Sequence, residues 1–133
     1  MVVNILRGIP GSGKSTLAES MVENNEDSII CSADEYFDKY DVDFNYKTLE
    51  DAQKWCFKTF KDSIENEVGT IIISNTNTKK GEVERYRDYA IDKGYKVFVL
   101  TVENWHGGKD KHNVQDKTLA KMEIRLRSSL KLR

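Results

Sequence analysis

The sequence predicts an α/β fold in which a parallel sheet lies between helices on both faces. Four short apolar runs, each the length of a buried strand, alternate with segments whose apolar residues recur at helical spacing. Such alternation along one chain is typical of a parallel sheet covered by helices. The predicted strands are residues 2–7, 28–32, 70–74 and 95–102. Because ligands bind beyond the carboxyl ends of the strands in this class, the loops after them are the candidate site.

Helices are predicted between the strands and after the last one. Thr48 is expected to cap the second helix and Gly94 to end the third. The predicted helices are residues 13–24, 48–67, 80–93 and 114–130. The last of them carries an apolar stripe that we expect to face the core, formed by Leu119, Met122, Leu126 and Leu130.

Length and composition favour a single domain that spans residues 1–133. The chain is 32% charged and 38% hydrophobic, with a formal net charge of −1, which supports one core. Its sequence contains neither an apolar run of the roughly 18 residues that a membrane span needs nor a signal-peptide pattern. Cys31 and Cys56 are expected to be reduced, buried thiols. Together these features favour a cytoplasmic protein.

A glycine-rich segment, GIPGSGKS at residues 8–15, directly follows the first predicted strand and matches the pattern G-x-x-x-x-G-K-[ST]. Its glycines let backbone N–H groups point inward as an anion nest at the start of a helix. Lys14 is expected to reach the β- and γ-phosphates of a nucleotide, and the Ser15 hydroxyl to bind Mg²⁺. The predicted nucleotide-binding residues are Gly8, Ile9, Pro10, Gly11, Ser12, Gly13, Lys14, Ser15 and Thr16.

Two absences from the sequence favour a phosphotransferase over a nucleotide-hydrolysing motor or switch. The third predicted strand is followed by Asn75, and not by the acidic pair with which motor ATPases usually hold Mg²⁺ and orient water. The sequence also has no N-K-x-D segment of the kind that GTP-specific recognition usually requires.

Asp34 is the candidate general base, because it lies two residues beyond the second predicted strand, in the segment IICSADEYFDKY. Phosphoryl transfer needs a hydroxyl in line with the γ-phosphate and a carboxylate to take its proton. The alternative is that Asp34 caps a short helix containing Tyr36 and Phe37. The local sequence leaves both interpretations open.

Four segments, in the same order along nearly the whole chain, together resemble small P-loop kinases of the AAA-type ATP-binding family. They are LRGIPGSGKSTLAES, CSADEYF, IIISNTN and HNVQDKTLAKM. The pattern is similar to that of the 5′-kinase domain of phage polynucleotide kinase. The resemblance implies a three-layer P-loop NTPase kinase fold with strand order 2-3-1-4 and a lid after strand four.

The same resemblance implies an activity, a donor and an acceptor. ATP, with Mg²⁺, would be the phosphate donor, and a 5′-hydroxyl of DNA or RNA would be the acceptor. Asp34 falls on the general base of the family, and Asn75 would help to orient the accepting hydroxyl. The expected function is therefore that of a polynucleotide 5′-hydroxyl kinase.

Three positions depart from the pattern of the phage kinase. Phe37 stands where that family has an arginine three residues after the base, and Asn75 stands where it has an aspartate. Asn75 can form a hydrogen bond to a hydroxyl but cannot accept a proton at neutral pH. The predicted lid loop, residues 103–113, contains no arginine for the transferring phosphate. Lys109 and Lys111 are expected to serve there as point charges, without the bidentate fork of arginine.

The distribution of charge leaves other acceptors open. Residues 109–133 carry eight Lys or Arg against three Asp or Glu, which indicates either a surface that attracts polyanions or a solvated helix face. By contrast, Asp38, Asp41 and Asp43 would repel a polyanion near the acceptor entrance. A kinase of a nucleoside or other small hydroxyl compound, and an ATP-binding module with little catalysis, therefore remain alternatives.

Overall fold

The computed structural model describes residues 1–105 and 114–132, and in them strands alternate with helices as the sequence predicts. One additional helix, α2, forms in the connection after the second strand. The elements are β1 (Val2–Arg7), α1 (Lys14–Val22), β2 (Ser28–Cys31), α2 (Asp34–Tyr40), α3 (Tyr46–Glu65), β3 (Thr70–Ser74), α4 (Lys80–Asp92), β4 (Lys96–Thr101) and α5 (Asp116–Ser128).

The strands form one parallel sheet in the order β2-β3-β1-β4, which confirms the predicted fold class and strand order. Leu6 near the end of β1 lies opposite Ser74 at the end of β3. Cys31 at the end of β2 lies opposite Ile73 of β3. Because the carboxyl ends are level, the segments that follow β1, β2 and β3 meet at one edge of the sheet.

Helices cover both faces of the sheet. Successive strand residues point to opposite faces, so the apolar strands present apolar side chains on each face. Leu6 and Ile72 pack with Ala18 of α1 on one face. Ile5 and Ile73 belong to a larger cluster on the other face, which includes residues of α3 and α4, among them the buried Phe60, Val83 and Tyr86. Among the described residues, no helix has both the length and the apolar composition that crossing a membrane would require.

The start of α3 differs from the prediction. Asn45, in extended conformation, is the N-cap, and its side-chain oxygen accepts hydrogen bonds from the backbone N–H groups of Lys47 and Thr48. The Thr48 hydroxyl accepts in return from the Asn45 backbone N–H at 2.8 Å. The prediction that Thr48 is the cap is therefore wrong, because Thr48 is the third helical residue of a capping box.

The apolar stripe predicted for the last helix is only partly buried. Leu126 is buried, Leu119 and Met122 are half-buried, and Leu130 is exposed. The prediction for Leu130 is wrong because α5 ends at Ser128, with Ser129 as its C-cap. Leu130 thus lies beyond the helix and does not continue its inner face.

Candidate active site

The segment after β1 adopts the backbone that its glycines permit. Gly13 has φ 100° and immediately precedes α1, in the left-handed region that favours glycine. At Gly8 a Cβ atom would lie 2.5 Å from Ser12 Oγ and 2.8 Å from the carbonyl oxygen of Val102. A side chain at position 8 would therefore displace the loop or the end of β4. Both glycines are needed for the turn from strand to helix.

Lys14, the first residue of α1, folds back over the loop that precedes it. Its Nζ donates hydrogen bonds to the carbonyl oxygens of Gly8 at 2.7 Å and Ile9 at 3.0 Å. The Lys14 side chain is largely buried. The ammonium group and the start of α1 thus lie together, and both favour a bound anion.

The phosphate loop forms one wall of a cavity of about 760 Å³, a size typical of small-ligand sites. Of the predicted nucleotide-binding residues, six line the cavity directly: Pro10, Gly11, Gly13, Lys14, Ser15 and Thr16. The start of α3, the connection between β3 and α4, and one face of α5 form the other walls. The described lining residues include the cations Lys14, Lys79 and Arg125 and the acids Asp34, Glu50 and Glu82.

Asp34 lines the same cavity as Lys14 and Ser15. It is exposed and is the first residue of α2, whose N-cap is Ala33. The backbone N–H of Asp34 donates to the Ser32 hydroxyl at 3.3 Å. The position that the capping alternative assigned to Asp34 is thus occupied by Ala33, and the Asp34 carboxylate lies on the cavity.

Asn75 directly follows β3, where it is 7% exposed and lines the cavity. Its Oδ1 accepts a hydrogen bond from the backbone N–H of Ala33 at 2.8 Å. Its Nδ2 is 3.5 Å from Cys56 Sγ in α3. The amide therefore ties the end of β3 to the residue that precedes Asp34. The sequence-based prediction gives Asn75 a role toward the acceptor and does not include this contact with the backbone.

Acidic side chains surround Asp34, and their mutual repulsion disfavours additional negative charge in this part of the site. Burial raises the pKa of Glu35, and the charges of Asp34 and Asp38 raise it further. Glu50 and Asp34 line the main cavity on this side. The part of the cavity formed by Asp34 and the start of α3 is thus more acidic than the wall formed by the phosphate loop.

Arg125 is a cavity residue that the sequence-based predictions do not include. It lies on α5 one turn after Met122, and both residues line the cavity. Its Nε is buried and has no hydrogen-bond partner among the described residues. Helical spacing from Met122 places Arg125 on the same face, but the predicted inner face of this helix contains only apolar residues.

Arg7, the last residue of β1, forms hydrogen bonds to two other segments near the phosphate loop. It is fully buried, and its Nε donates to the carbonyl oxygen of Asn77 at 2.8 Å. Its Nη1 and Nη2 donate to the carbonyl and hydroxyl oxygens of Ser129, at 2.8 and 2.6 Å. Burial lowers the pKa of Arg7, and the charge of Glu82 opposes this. The guanidinium thus joins β1, the β3–α4 connection and the end of α5.

The predicted Mg²⁺ site depends on Ser15, which lines the cavity next to Lys14. In the described part of the chain, no group of three or more His, Cys, Asp or Glu residues could hold a metal ion. Mg²⁺ needs only one or two protein oxygens when substrate phosphates and water supply the rest. The Ser15 hydroxyl fits that requirement. Lys109 and Lys111 lie outside the described residues, so their assignment stays a prediction.

Comparison with known proteins identifies the family. The sequence profile of a family described as AAA domain (AAA_33) matches residues 3–105. The chain belongs to this family. The matched range includes the phosphate loop, Asp34 and Asn75, and it ends before α5.

A human protein, NEDD4-binding protein 2, is 36% identical over 114 residues, which are 84% of the chain. These residues are only 6% of the human protein, so the chain corresponds to a small part of it.

Two solved structures are similar in fold. The chain matches a structure of the Pnkp1/Rnl/Hen1 RNA repair complex with a TM-score of 0.71 and 17% identity, over 96% of this chain and 44% of that one. It also matches a structure of Mycobacterium tuberculosis APS kinase CysC in complex with AMPPNP and APS, with a TM-score of 0.54 and 16% identity. This match covers 75% of this chain and 61% of the APS kinase chain. AAA_33 membership and these likenesses confirm the predicted P-loop kinase fold.

Proposed function

We propose that the chain is an ATP-dependent phosphotransferase with an alcohol acceptor, and that residues 1–133 form one kinase domain. The observation that carries the proposal is that the phosphate loop and Asp34 line one cavity. A hydroxyl placed between them can attack the γ-phosphorus of ATP, the bond to the β–γ bridging oxygen breaks, and ADP leaves. The Asp34 carboxylate takes the proton of the hydroxyl.

The donor site would be built from the phosphate loop and its metal ion. The backbone N–H groups of residues 8–16 and the Lys14 ammonium would bind the phosphates. Ser15 would bind Mg²⁺, which neutralises charge on the phosphate oxygens when it is bound. AMPPNP, an ATP analogue, in the similar APS kinase structure supports ATP as the donor.

For the acceptor we propose the 5′-hydroxyl of a DNA or RNA strand. Two observations support this choice: the sequence blocks that resemble polynucleotide kinases, and the similarity in fold to the Pnkp1/Rnl/Hen1 RNA repair complex. Phe44 and Tyr46, which line the cavity at the start of α3, offer rings on which a terminal base could stack.

A second candidate acceptor is a nucleoside or other small hydroxyl compound. Glu50 lines the cavity on the side of Asp34, and Glu35 and Asp38 lie next to Asp34. These carboxylates would repel the backbone of a long nucleic acid, and this repulsion favours an acceptor without phosphates.

Transfer of label from γ-labelled ATP·Mg²⁺ to a set of acceptors tests the proposal. The set consists of DNA and RNA oligonucleotides with a 5′-hydroxyl, the same oligonucleotides with a 5′-phosphate, nucleosides and sugars. Label only on 5′-hydroxyl oligonucleotides would support the polynucleotide acceptor, and label on nucleosides or sugars would support the second candidate. ATP binding without transfer to any acceptor would contradict the kinase and leave a nucleotide-binding module. Lys14→Ala serves as the control that removes the donor site.

A further inference from the structure

A buried series of hydrogen bonds connects α4 and α3 to the residue that precedes Asp34. Asn75 Oδ1 accepts from the backbone N–H of Ala33 at 2.8 Å, and Asn75 Nδ2 donates to Cys56 Sγ at 3.5 Å. The Tyr86 hydroxyl donates to the same sulfur, also at 3.5 Å. We propose that Cys56 and Tyr86 are positioning residues that hold the side-chain amide of Asn75 in one orientation. Through Ala33, that amide fixes the start of α2, where the Asp34 carboxylate lies. This inference rests on the proposed function, because it concerns the placement of the general base.

The two ends of the Asn75 amide are not interchangeable, because the oxygen accepts hydrogen bonds and the nitrogen donates them. Ala33 is buried, so its backbone N–H needs the amide oxygen as an acceptor. A half-turn of the amide would place its NH₂ group against this N–H and leave a buried donor unpaired, which is costly. An acceptor on the nitrogen side therefore favours the orientation that serves Ala33. Cys56 Sγ is that acceptor.

The Cys56 thiol is suited to this role because it stays neutral. The residue is fully buried, and burial raises the pKa of its thiol, so the sulfur carries no charge near neutral pH. A neutral thiol sulfur is a weak acceptor. The contacts from Nδ2 of Asn75 and from the Tyr86 hydroxyl therefore add little to the stability of the fold, but they are enough to choose between two orientations of one amide.

The ring of Tyr86 is held independently of its hydroxyl group. Its centroid lies 5.2 Å from that of Phe57 and 5.0 Å from that of Phe60, and both contacts are edge-to-face. Removal of the hydroxyl by Tyr86→Phe thus leaves the packing between α3 and α4 in place. The variant tests the contact with Cys56 Sγ and not the burial of the ring.

Tyr95 provides a matched control. It is also buried, and its hydroxyl donates to the carbonyl oxygen of Val68 at 2.7 Å. Val68 precedes β3, whereas Asn75 follows it, so the two tyrosine hydroxyls bond at opposite ends of this strand. A general effect of losing a buried tyrosine hydroxyl would appear in both variants. An effect on the position of Asp34 would appear only in Tyr86→Phe.

Single-turnover transfer from γ-labelled ATP·Mg²⁺ to a 5′-hydroxyl oligonucleotide tests the proposal. Cys56→Ala and Tyr86→Phe should each slow transfer by about threefold to tenfold, the loss expected for one hydrogen bond of ordinary strength. The affinity for ATP should stay nearly unchanged, because the phosphate loop is intact. Cys56→Ser should regain most of the lost rate, because the serine oxygen can accept from Asn75 Nδ2. Tyr95→Phe should keep the rate of the unsubstituted protein.

Hydrogen exchange of the Ala33 amide, followed by NMR, gives a measurement that does not depend on activity. Both Cys56→Ala and Tyr86→Phe should exchange this amide faster than the unsubstituted protein does, and Tyr95→Phe should not. If Cys56→Ala does not fold, Tyr86→Phe decides alone, since it keeps the packing of the ring.

Unchanged transfer and unchanged Ala33 exchange in Tyr86→Phe would overturn the proposal. Equal slowing of transfer in Tyr86→Phe and Tyr95→Phe would also overturn it, as would a Cys56→Ser variant as slow as Cys56→Ala. Failure of the unsubstituted protein to transfer phosphate to any acceptor would overturn the proposed function itself. Exchange of the Ala33 amide would still show in that case whether Cys56 and Tyr86 hold the start of α2.

Discussion

Arg7 and Ser129, which are 122 positions apart in the sequence, form two hydrogen bonds at the base of the site. Nη2 of Arg7 donates to the Ser129 hydroxyl at 2.6 Å, and Nη1 donates to the Ser129 carbonyl oxygen at 2.8 Å. Arg7 directly precedes the phosphate loop, and Ser129 is the C-cap of α5. The two walls of the cavity therefore share one anchoring point.

Substitution Ser129→Ala should loosen this anchoring point. The variant loses the hydroxyl that accepts from Arg7 and leaves a buried donor without that partner, so unfolding free energy should fall by about 1–3 kcal/mol. Urea denaturation measures the change. Ser128→Ala is the matched control, because the exposed Ser128 hydroxyl donates within α5 to the carbonyl oxygen of Ile124. Equal stability of the two variants would contradict the role given to Ser129.

Substitution Asn75→Ala should displace Asp34 from its place in the site and leave the ATP-binding site unaffected. It leaves the buried backbone N–H of Ala33 without the Oδ1 acceptor, at a cost of about 1–3 kcal/mol. We expect kcat for transfer to fall while the affinity for ATP stays within about twofold. Asn75→Asp keeps an acceptor for Ala33, so it should retain more activity than Asn75→Ala. The reverse order of activities would contradict this account.

The two thiols should be unreactive in the folded protein. Cys31 and Cys56 are buried, and burial, with the neighbouring Cys56 as a smaller cause, raises the pKa of Cys31 to about 12. Burial also raises the pKa of Cys56. A chromogenic disulfide reagent at pH 8 should therefore modify neither thiol in buffer and both in denaturant. Rapid modification of either thiol in buffer would contradict the burial of that cysteine.

The raised pKa of Cys31 predicts that the stability of the protein depends on pH. The thiol pKa is about 8.5 in an unfolded chain, so the folded protein binds the Cys31 proton more tightly than the unfolded one. This contribution to stability is complete below the unfolded value and is lost as the pH rises towards the folded value of about 12. Cys31→Ala should make denaturation less sensitive to pH above about 8.5.

The sheet and the phosphate loop were predictable because their signals are local. The apolar run of β1 and the pattern G-x-x-x-x-G-K-[ST] are contiguous, and the left-handed backbone that glycine permits is present at Gly13. The start of α3 was harder to predict, because Asn45 and Thr48 both favour cap positions. Only the extended backbone of Asn45 distinguishes the two.

Arg7 and Arg125 could not be predicted in the same way. Arg7 ends an apolar strand, and the acceptors that make its burial tolerable come from Asn77, Thr78 and Ser129, far along the chain. Arg125 shares a helix face with Met122 by spacing, but the sequence does not show that this face of α5 lines the cavity. Both cases depend on the packing of segments that lie far apart in the sequence, which a linear pattern does not contain.

The most direct test of the proposed reaction is the rate of phosphate transfer by Asp34→Asn. The substitution keeps the shape of the side chain and removes its ability to take a proton, so kcat should fall by about 10²–10⁴. The affinity for ATP·Mg²⁺ should stay nearly unchanged, because the phosphate loop is intact. Glu35→Gln, at the adjacent residue of α2, is the matched control and should retain activity. Transfer by Asp34→Asn within a few fold of the unsubstituted protein would contradict the assignment of Asp34 as the general base.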